Sequence, residues 1–232
     1  MFGHMSEPLH RRIHARLRRM ALAAPGAALP GEVELAARWR VSRSTVRQAF
    51  AALVAEGLAE RRRRAGTVAR PLVNRLDAWQ GFRADLAARG VAVVDRTAAL
   101  ERTTDADAAG HLGVGPRTRL WRLERVRGDG DGALVRFISW FPPAVPLQDD
   151  DDPAGPLWER LDARGCVPAR SREELRAVAA DAATAATLAV APGAPVLERR
   201  RRVEDAAGAA LEWNIGWYRS DRFALAIDLA AR

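Results

Sequence analysis

Apolar residues in the first seventy positions fall at helical spacing in three stretches. Leu9, Ile13, Leu17 and Met20 recur at intervals of four, four and three, which lays them along one face of a helix from Pro8 to Leu22. Pro25 and Gly26 break it. Pro30 and Gly31 set the start of a short second helix, from Glu32 to about Trp39, with Val33, Leu35 and Ala36 available for burial. In the third stretch Val46, Ala49, Phe50 and Leu53 recur at i, i+3, i+4 and i+7 and face a core. Ser42 is placed to cap that helix, since its hydroxyl can accept from the free N–H groups of the next turn, and Gly57 closes it. Ser44, Arg47 and Gln48 then point away from the core, with Arg43 on the flank of the first turn. Leu58 to Arg62 and Thr67 to Arg70 read as two short strands around a turn.

Residues 71–75 read as a linker by composition, and Leu76, Trp79, Phe82 and Leu86 predict a helix ending at Gly90. Beyond it the chain repeats itself. Leu86-Ala-Ala-Arg-Gly90 echoes Leu161-Asp-Ala-Arg-Gly165, and from Asp105 onward an ungapped offset of 76 pairs Asp105 with Asp181, Leu112 with Leu188, Val114 with Val190 and Leu120 with Val196. The same offset pairs Arg125 with Arg201, Gly132 with Gly208, Ala133 with Ala209 and Phe137 with Trp213. Each copy reads strand, short helix, strand, tight turn, strand, the turns being Asp129-Gly130-Asp131-Gly132 and Asp205-Ala206-Ala207-Gly208. Trp121, Phe137, Trp140, Trp213 and Trp217 are the bulky core candidates. Two copies are too few for a solenoid and predict one pseudo-twofold domain over residues 76–232, mostly antiparallel, with helices packed on a shared sheet. The whole chain is therefore expected to be α+β, with a mainly helical module over residues 1–70.

Charge sharpens that division. The net charge is +8, but residues 1–70 carry +9 and residues 71–232 carry −1. A compact basic module on a neutral partner points to a polyanion contact. There is no lysine, so Schiff-base and pyridoxal-phosphate chemistry is excluded. Cys166 is the sole cysteine, which excludes a disulfide framework and a multi-cysteine zinc site. Apolar residues make up 48% and charged residues 28%, no apolar run approaches ~18 residues and no signal peptide is visible, so a cytoplasmic protein without a membrane partner is expected. Asp149-Asp150-Asp151-Asp152 reads as a solvated loop, because consecutive aspartates cannot all face one ion; no metal or other cofactor is expected. His4, His10 and His14 lie in the basic third and His111 stands alone behind it, read as a helix-end residue. No nucleophile and base come together, so an enzyme is not expected.

Two helices joined tightly, the second showing hydroxyls and arginine at its N-terminal end, are what reading the major groove of double-stranded DNA requires. Arginine can bond guanine O6 and N7 together, and Ser and Thr reach phosphates or base edges. The Arg61-Arg62-Arg63-Arg64 run at the hairpin can sit on phosphates or enter the minor groove. Leu29-Pro30-Gly31-Glu32-Val33-Glu34-Leu35-Ala36, then Val41-Ser42-Arg43-Ser44-Thr45-Val46-Arg47-Gln48-Ala49, then Leu53 to Gly57 and Gly66-Thr67-Val68 resemble the winged helix-turn-helix of the GntR family. That resemblance implies operator contacts from Arg43, Ser44, Thr45 and Arg47, with Gly66 at the wing; Gln48, Arg61, Arg62, Arg63, Arg64 and Thr67 complete the candidate surface. The chain departs from the family pattern at Val33, where many relatives place a DNA-contacting Arg, at Arg64, in place of a wing glycine, and at Ala65, which often corresponds to an Arg. Base preference therefore does not carry over.

Further along, Arg125-Val126-Arg127, the hairpin to Ser139-Trp140-Phe141-Pro142, and Leu211-Glu212 leading to Trp217-Tyr218-Arg219-Ser220-Asp221-Arg222-Phe223 resemble the ligand-sensing domain of the HutC subfamily, called UTRA. The resemblance implies the chorismate-lyase fold and an effector site in which Arg125, Arg127, Ser139 and Tyr218 hold an anion and Glu212 holds a sugar. Two arginines at i and i+2 share one strand face and can bracket one anion; pairing with Glu124 or Glu204 in a surface ladder is the competing reading. Phe137 or Arg136 occupies the region where sugar-sensing relatives often have a carboxylate, and Gly155-Pro156-Leu157-Trp158 lacks a serine that some of them use. The expected effector is thus a small anionic metabolite, phosphorylated, phosphonate or carboxylate. Release of a repressor from its operator by that metabolite is the expected mechanism. A C-terminal domain that only dimerises, or an enzyme on the chorismate-lyase fold, are the alternatives. A homodimer is expected in either regulatory case, since paired half-sites give a weak module usable specificity.

Overall fold

The third helix forms where its sequence begins and ends it. α1 (Leu9–Ala23), α2 (Glu32–Trp39) and α3 (Arg43–Ala55) are followed by the antiparallel hairpin β1 (Ala59–Arg62) and β2 (Gly66–Ala69). Ser42 Oγ accepts from Thr45 N at 3.1 Å and caps α3, whose buried residues are Val46, Ala49, Phe50 and Leu53. Ser42→Ala is expected to lower the stability of this unit by about 1 kcal/mol, read as a lower melting temperature. α1 packs on α3, and His14 and Arg18 both reach Glu56 just beyond it, at 2.9 and 3.6 Å. The stripe of α1 runs through Ile13, Leu17 and Ala21, so Leu9 stays exposed and Met20 only half-buried, against the expected face. Val33 is also solvent-facing, because Leu35 and Ala36 take the inward positions of α2. Arg64 adopts a left-handed backbone (φ 70) at the wing turn, which costs an L-residue with a Cβ about 1–2 kcal/mol relative to glycine.

The computed structural model describes residues 9–70, 72–75, 86, 93–129 and 132–226. The helix expected up to Gly90 therefore lies, Leu86 apart, outside the described residues, as do Gly130 and Asp131 of the first turn. The described residues form two compact units. The first holds residues 9–70 with 72–75, 86 and 221–226, and the second holds 93–129 and 132–220. Residues 72–75 differ from the expected linker: they form β3 (Leu72–Arg75), paired in parallel with β10 (Phe223–Ala226). The pairing partner lies at the other end of the chain, where a local reading cannot see it. Buried Arg222 donates from Nε to Leu22 O at 3.2 Å, and Phe223 is buried beside it in sequence.

The second unit is a six-stranded sheet in the order β4-β5-β6-β9-β8-β7, every neighbour antiparallel. Its elements are β4 (Val94–Thr103), α4 (Ala106–Leu112), β5 (Leu120–Asp129), β6 (Gly132–Phe141), α5 (Leu157–Ala163), β7 (Arg170–Ala179), α6 (Ala182–Leu188), β8 (Pro195–Glu204) and β9 (Ala210–Arg219). The offset of 76 carries β4 onto β7 and α4 onto α6 residue for residue. Both helices are capped the same way, Asp105 accepting from Ala108 N at 2.9 Å and Asp181 from Thr184 N at 2.7 Å. The pseudo-twofold runs between β6 and β9, where Ile138 stands opposite Ile215. One face of the sheet buries Leu120, Ile138, Trp140 and Trp213 against α4, and Val126 and Val196 with Ala185 and Leu188 of α6. On the other, α5 packs Leu157 and Leu161 with Trp121, Leu123 and Val203. His111 ends α4 and stacks on Trp213, ring centroids 3.8 Å apart.

The aspartate run corrects one expectation. Asp149, Asp150 and Asp152 are exposed, but Asp151 is buried and held by both terminal nitrogens of Arg164 at 2.7 Å, with Arg160 at 3.4 Å. The Arg164 hydrogen bonds keep its carboxyl below the ordinary range. Position in the loop, not composition, separates it from its neighbours. Among the described residues no helix is long and apolar enough to cross a membrane.

Candidate functional site

Two surfaces gather the sequence candidates. On the first, Arg43, Ser44, Arg47 and Gln48 of α3 are all exposed, on the side away from the buried stripe. Thr45 is half-buried, and its hydroxyl shares Ser42 Oγ at 2.8 Å with Ser44, also at 2.8 Å. The N-terminal turn of α3 thus presents clustered hydroxyls beside two arginines. Arg61, Arg62, Arg63 and Arg64 are exposed along the hairpin, Gly66 takes a positive φ of 76, and Thr67 is half-buried behind it. Arg62 pairs with Glu60 on its own strand, while Glu32 reaches both Arg47 and Arg61, at 3.1 and 3.5 Å. The sequence reading missed Glu32 as part of this surface.

The second surface is one face of the sheet. Residues paired across antiparallel strands share a face. Arg127 stands opposite Val135 and Val135 opposite Tyr218; Arg125 opposite Phe137 and Phe137 opposite Gly216; Ser139 opposite Asn214. With Glu212 two residues before Asn214, all five effector candidates, Arg125, Arg127, Ser139, Glu212 and Tyr218, lie on the face that carries α5. All five are buried. The register brings Arg199 and Arg201 of β8, Glu173 of β7 and Asp95 of β4 to the same face.

Their contacts form a network. Ser139 Oγ donates to Glu212 Oε1 at 2.7 Å and accepts from Asn214 Nδ2 at 2.8 Å, and Arg201 pairs with the other Glu212 oxygen. Arg199 forks onto Glu173 at 2.7 and 2.8 Å, and Ser171 donates to the same carboxylate. Arg127 Nε meets Asp95 at 2.7 Å. Arg125 donates to Pro153 O at 2.6 Å and Gly155 O at 3.0 Å, in the loop before α5. Glu124 faces the other side with Arg122 and Arg136, and Glu204 pairs with Arg202. Tyr218 meets Phe137 edge-on at 5.5 Å. Gly216 leaves room for those rings, since a Cβ there would lie 2.9 Å from Phe137 and 3.1 Å from Tyr218.

Burial works on these charges unequally. It lowers the Arg127 pKa, only partly opposed by Tyr218. Burial opposes the Arg199 charge too, but Tyr218 and Glu173 outweigh it and raise the pKa above the ordinary guanidinium value. For Glu173 burial favours the neutral form, yet the hydrogen bonds and charge of Arg199, with help from Ser171 and Arg201, hold its pKa below the ordinary value. Arg201 was foreshadowed by the repeat, which pairs it with Arg125; Arg199, Glu173 and Asp95 carried no local signal.

The chain is similar to known proteins in both of its parts. Residues 9–68 match the family described as bacterial regulatory proteins, gntR family, and residues 89–224 match the UTRA domain. The chain is 29% identical over 204 residues to the HTH-type transcriptional repressor NagR of Bacillus subtilis, covering 86% of this chain and 84% of that protein. It is 29% identical over 211 residues to the HTH-type transcriptional repressor PhnF of Mycolicibacterium smegmatis, covering 89% of this chain and 86% of that one. The crystal structure of PhnF from Mycobacterium smegmatis superposes with a TM-score of 0.66 at 25% identity, over 95% of this chain and all of that one (100%).

Proposed function

We propose that this chain, which belongs to the gntR family of bacterial regulatory proteins and carries a UTRA domain, is a cytoplasmic transcription repressor released from its operator by a small anionic metabolite. The observation that carries the reading is the charge buried or half-buried on one sheet face. Arg125, Arg127, Arg199 and Arg201 lie there with Asp95, Glu173 and Glu212. A fold does not need such a cluster for stability, because replacing buried ion pairs with well-packed apolar residues is often neutral or favourable. A ligand that must be held by charge does need it. Repression is supported by the names of two relatives, NagR and PhnF.

In this reading Arg125 and Arg127 bracket the anion, and the Ser139 and Tyr218 hydroxyls complete its hydrogen bonds. Glu212, oriented by Ser139 and Arg201, takes a hydroxyl or ammonium group of the same ligand. The anion competes with the carbonyls of Pro153 and Gly155 for Arg125, so its arrival loosens the loop before α5. The ligand acts only through its different affinity for the operator-competent and operator-incompetent states of a homodimer.

The test is fluorescence anisotropy of the purified protein on DNA from upstream of its own gene, at fixed salt, with phosphorylated, phosphonate and carboxylate metabolites titrated in. Weakened binding with one of them supports release. Operator binding that no candidate alters favours a C-terminal domain that only dimerises. Arg125→Ala is expected to bind the operator as the wild type does and to lose the response to the effector. An unchanged effector affinity would remove Arg125 from the pocket.

A further inference from the structure

One carboxylate touches both parts of the DNA-reading surface. Glu32 stands in the first turn of α2, where the helix dipole favours a negative charge. Its Oε2 lies 3.1 Å from Arg47 Nε and its Oε1 lies 3.5 Å from an Nη of Arg61. Arg47 belongs to α3 and Arg61 to β1, so a side chain from a third element ties the recognition helix to the wing. Glu32 also lines a cleft of about 320 Å³ together with Pro30, Gly31, Arg61, Gly66 and Thr67. Its side chain is only 24% exposed, whereas those of Arg47 and Arg61 are 60% and 61% exposed.

The atoms used by Arg47 decide what this contact does. Glu32 takes Nε, on the inner edge of the guanidinium. The bond to Glu32 does not consume the Nη pair, through which a guanidinium can straddle guanine O6 and N7. An arginine steadied through Nε keeps that fork aimed outward, while an unsteadied exposed arginine spreads over many rotamers. Steadying strengthens only the binding in which a base is read. The charge on Glu32, by contrast, repels the phosphates of every duplex alike.

We propose that Glu32 is a positioning residue for operator recognition, holding Arg47 in its base-reading orientation and clasping Arg61 of the wing, and so raising the ratio of specific to non-specific binding. This rests on α3 being the DNA-reading helix. The test uses the full chain and an operator duplex that the wild type enriches from a random library, against a scrambled duplex of the same composition. Failure of the wild type to enrich any sequence overturns the reader, and the role of Glu32 with it.

With an enriched duplex in hand, Glu32→Gln is expected to lower the specificity ratio about 2–5-fold, the range an exposed but well-oriented ion pair can supply, while binding to the scrambled duplex tightens. Glu32→Asp keeps the charge but shortens the reach. It is expected to lower the ratio without tightening non-specific binding. In an Arg47→Ala background, Glu32→Gln is expected to leave the ratio where Arg47→Ala alone puts it. An unchanged ratio in Glu32→Gln overturns the proposal. So does an equal drop with and without Arg47, which makes Glu32 a reader in its own right or merely a charge. The melting temperature of each variant, expected within a degree or two of the wild type, separates these outcomes from loss of fold.

Discussion

Glu212→Ala is expected to destabilise the sheet unit by about 3–5 kcal/mol, because it removes the carboxylate paired with Arg201 in a largely buried ion pair and leaves that charge only its weaker interaction with Glu173. The Glu212 side chain is 2% exposed and that of Arg201 16%. Without the carboxylate, Arg201 keeps its charge in an environment that does not solvate it, and Ser139 loses the acceptor 2.7 Å away. Arg201 has little in reserve, since its Nε is buried without a hydrogen-bond partner. At roughly 2–4 °C per kcal/mol for a chain of this size, the unfolding transition should fall by about 6–20 °C in a calorimetric scan. Glu212→Gln keeps an acceptor for Ser139 and should fall less. A transition within about 2 °C of the wild type would show that the ion pair carries no structural weight. The result also bears on the effector reading. A residue proposed to orient a ligand that also pairs with a charge inside the sheet must be probed with the conservative variant, or loss of response will be confused with loss of fold.

Arg47→Ala is expected to lose most, not all, of the sequence-specific DNA binding while the protein folds as before. The side chain is exposed, alanine is the best helix former, and the pairs it loses lie at the surface. What disappears is a base contact of about 1–3 kcal/mol, which is a factor of about 5–150 for each half-site. The proposed homodimer, on two half-sites, would feel the loss twice. Binding to unrelated DNA should weaken far less, since only one cationic contact among many is removed. Titrations on operator and scrambled duplexes at one salt concentration measure both quantities. Operator affinity equal to wild type would mean that α3 does not present Arg47 to the groove.

The two variants probe features that the chain encodes in different ways. α3 was legible because everything that makes it lies within a turn or two: the apolar stripe, the Ser42 cap, and the arginines opposite the stripe. The repeat was legible because two copies of one pattern corroborate each other, and the sheet follows the offset of 76 from strand to strand. Even the shared face of Arg125 and Arg127 follows from strand alternation alone.

Tertiary structure decided the partners. Glu212 meets Arg201, Arg199 meets Glu173 and Arg127 meets Asp95 because of the register between strands, which no local pattern states. It likewise made β3 out of residues that read as a linker, and buried Asp151 while leaving Asp150 and Asp152 in water. Periodicity and capping are written into neighbours, so the sequence by itself determined where most of the described helices and strands lie, most of their inward-facing residues and which third of the chain is basic. Ion pairs and strand pairs join residues far apart in sequence. Only the assembled sheet brings them within reach, and its register is set by the packing of whole faces rather than by any one residue.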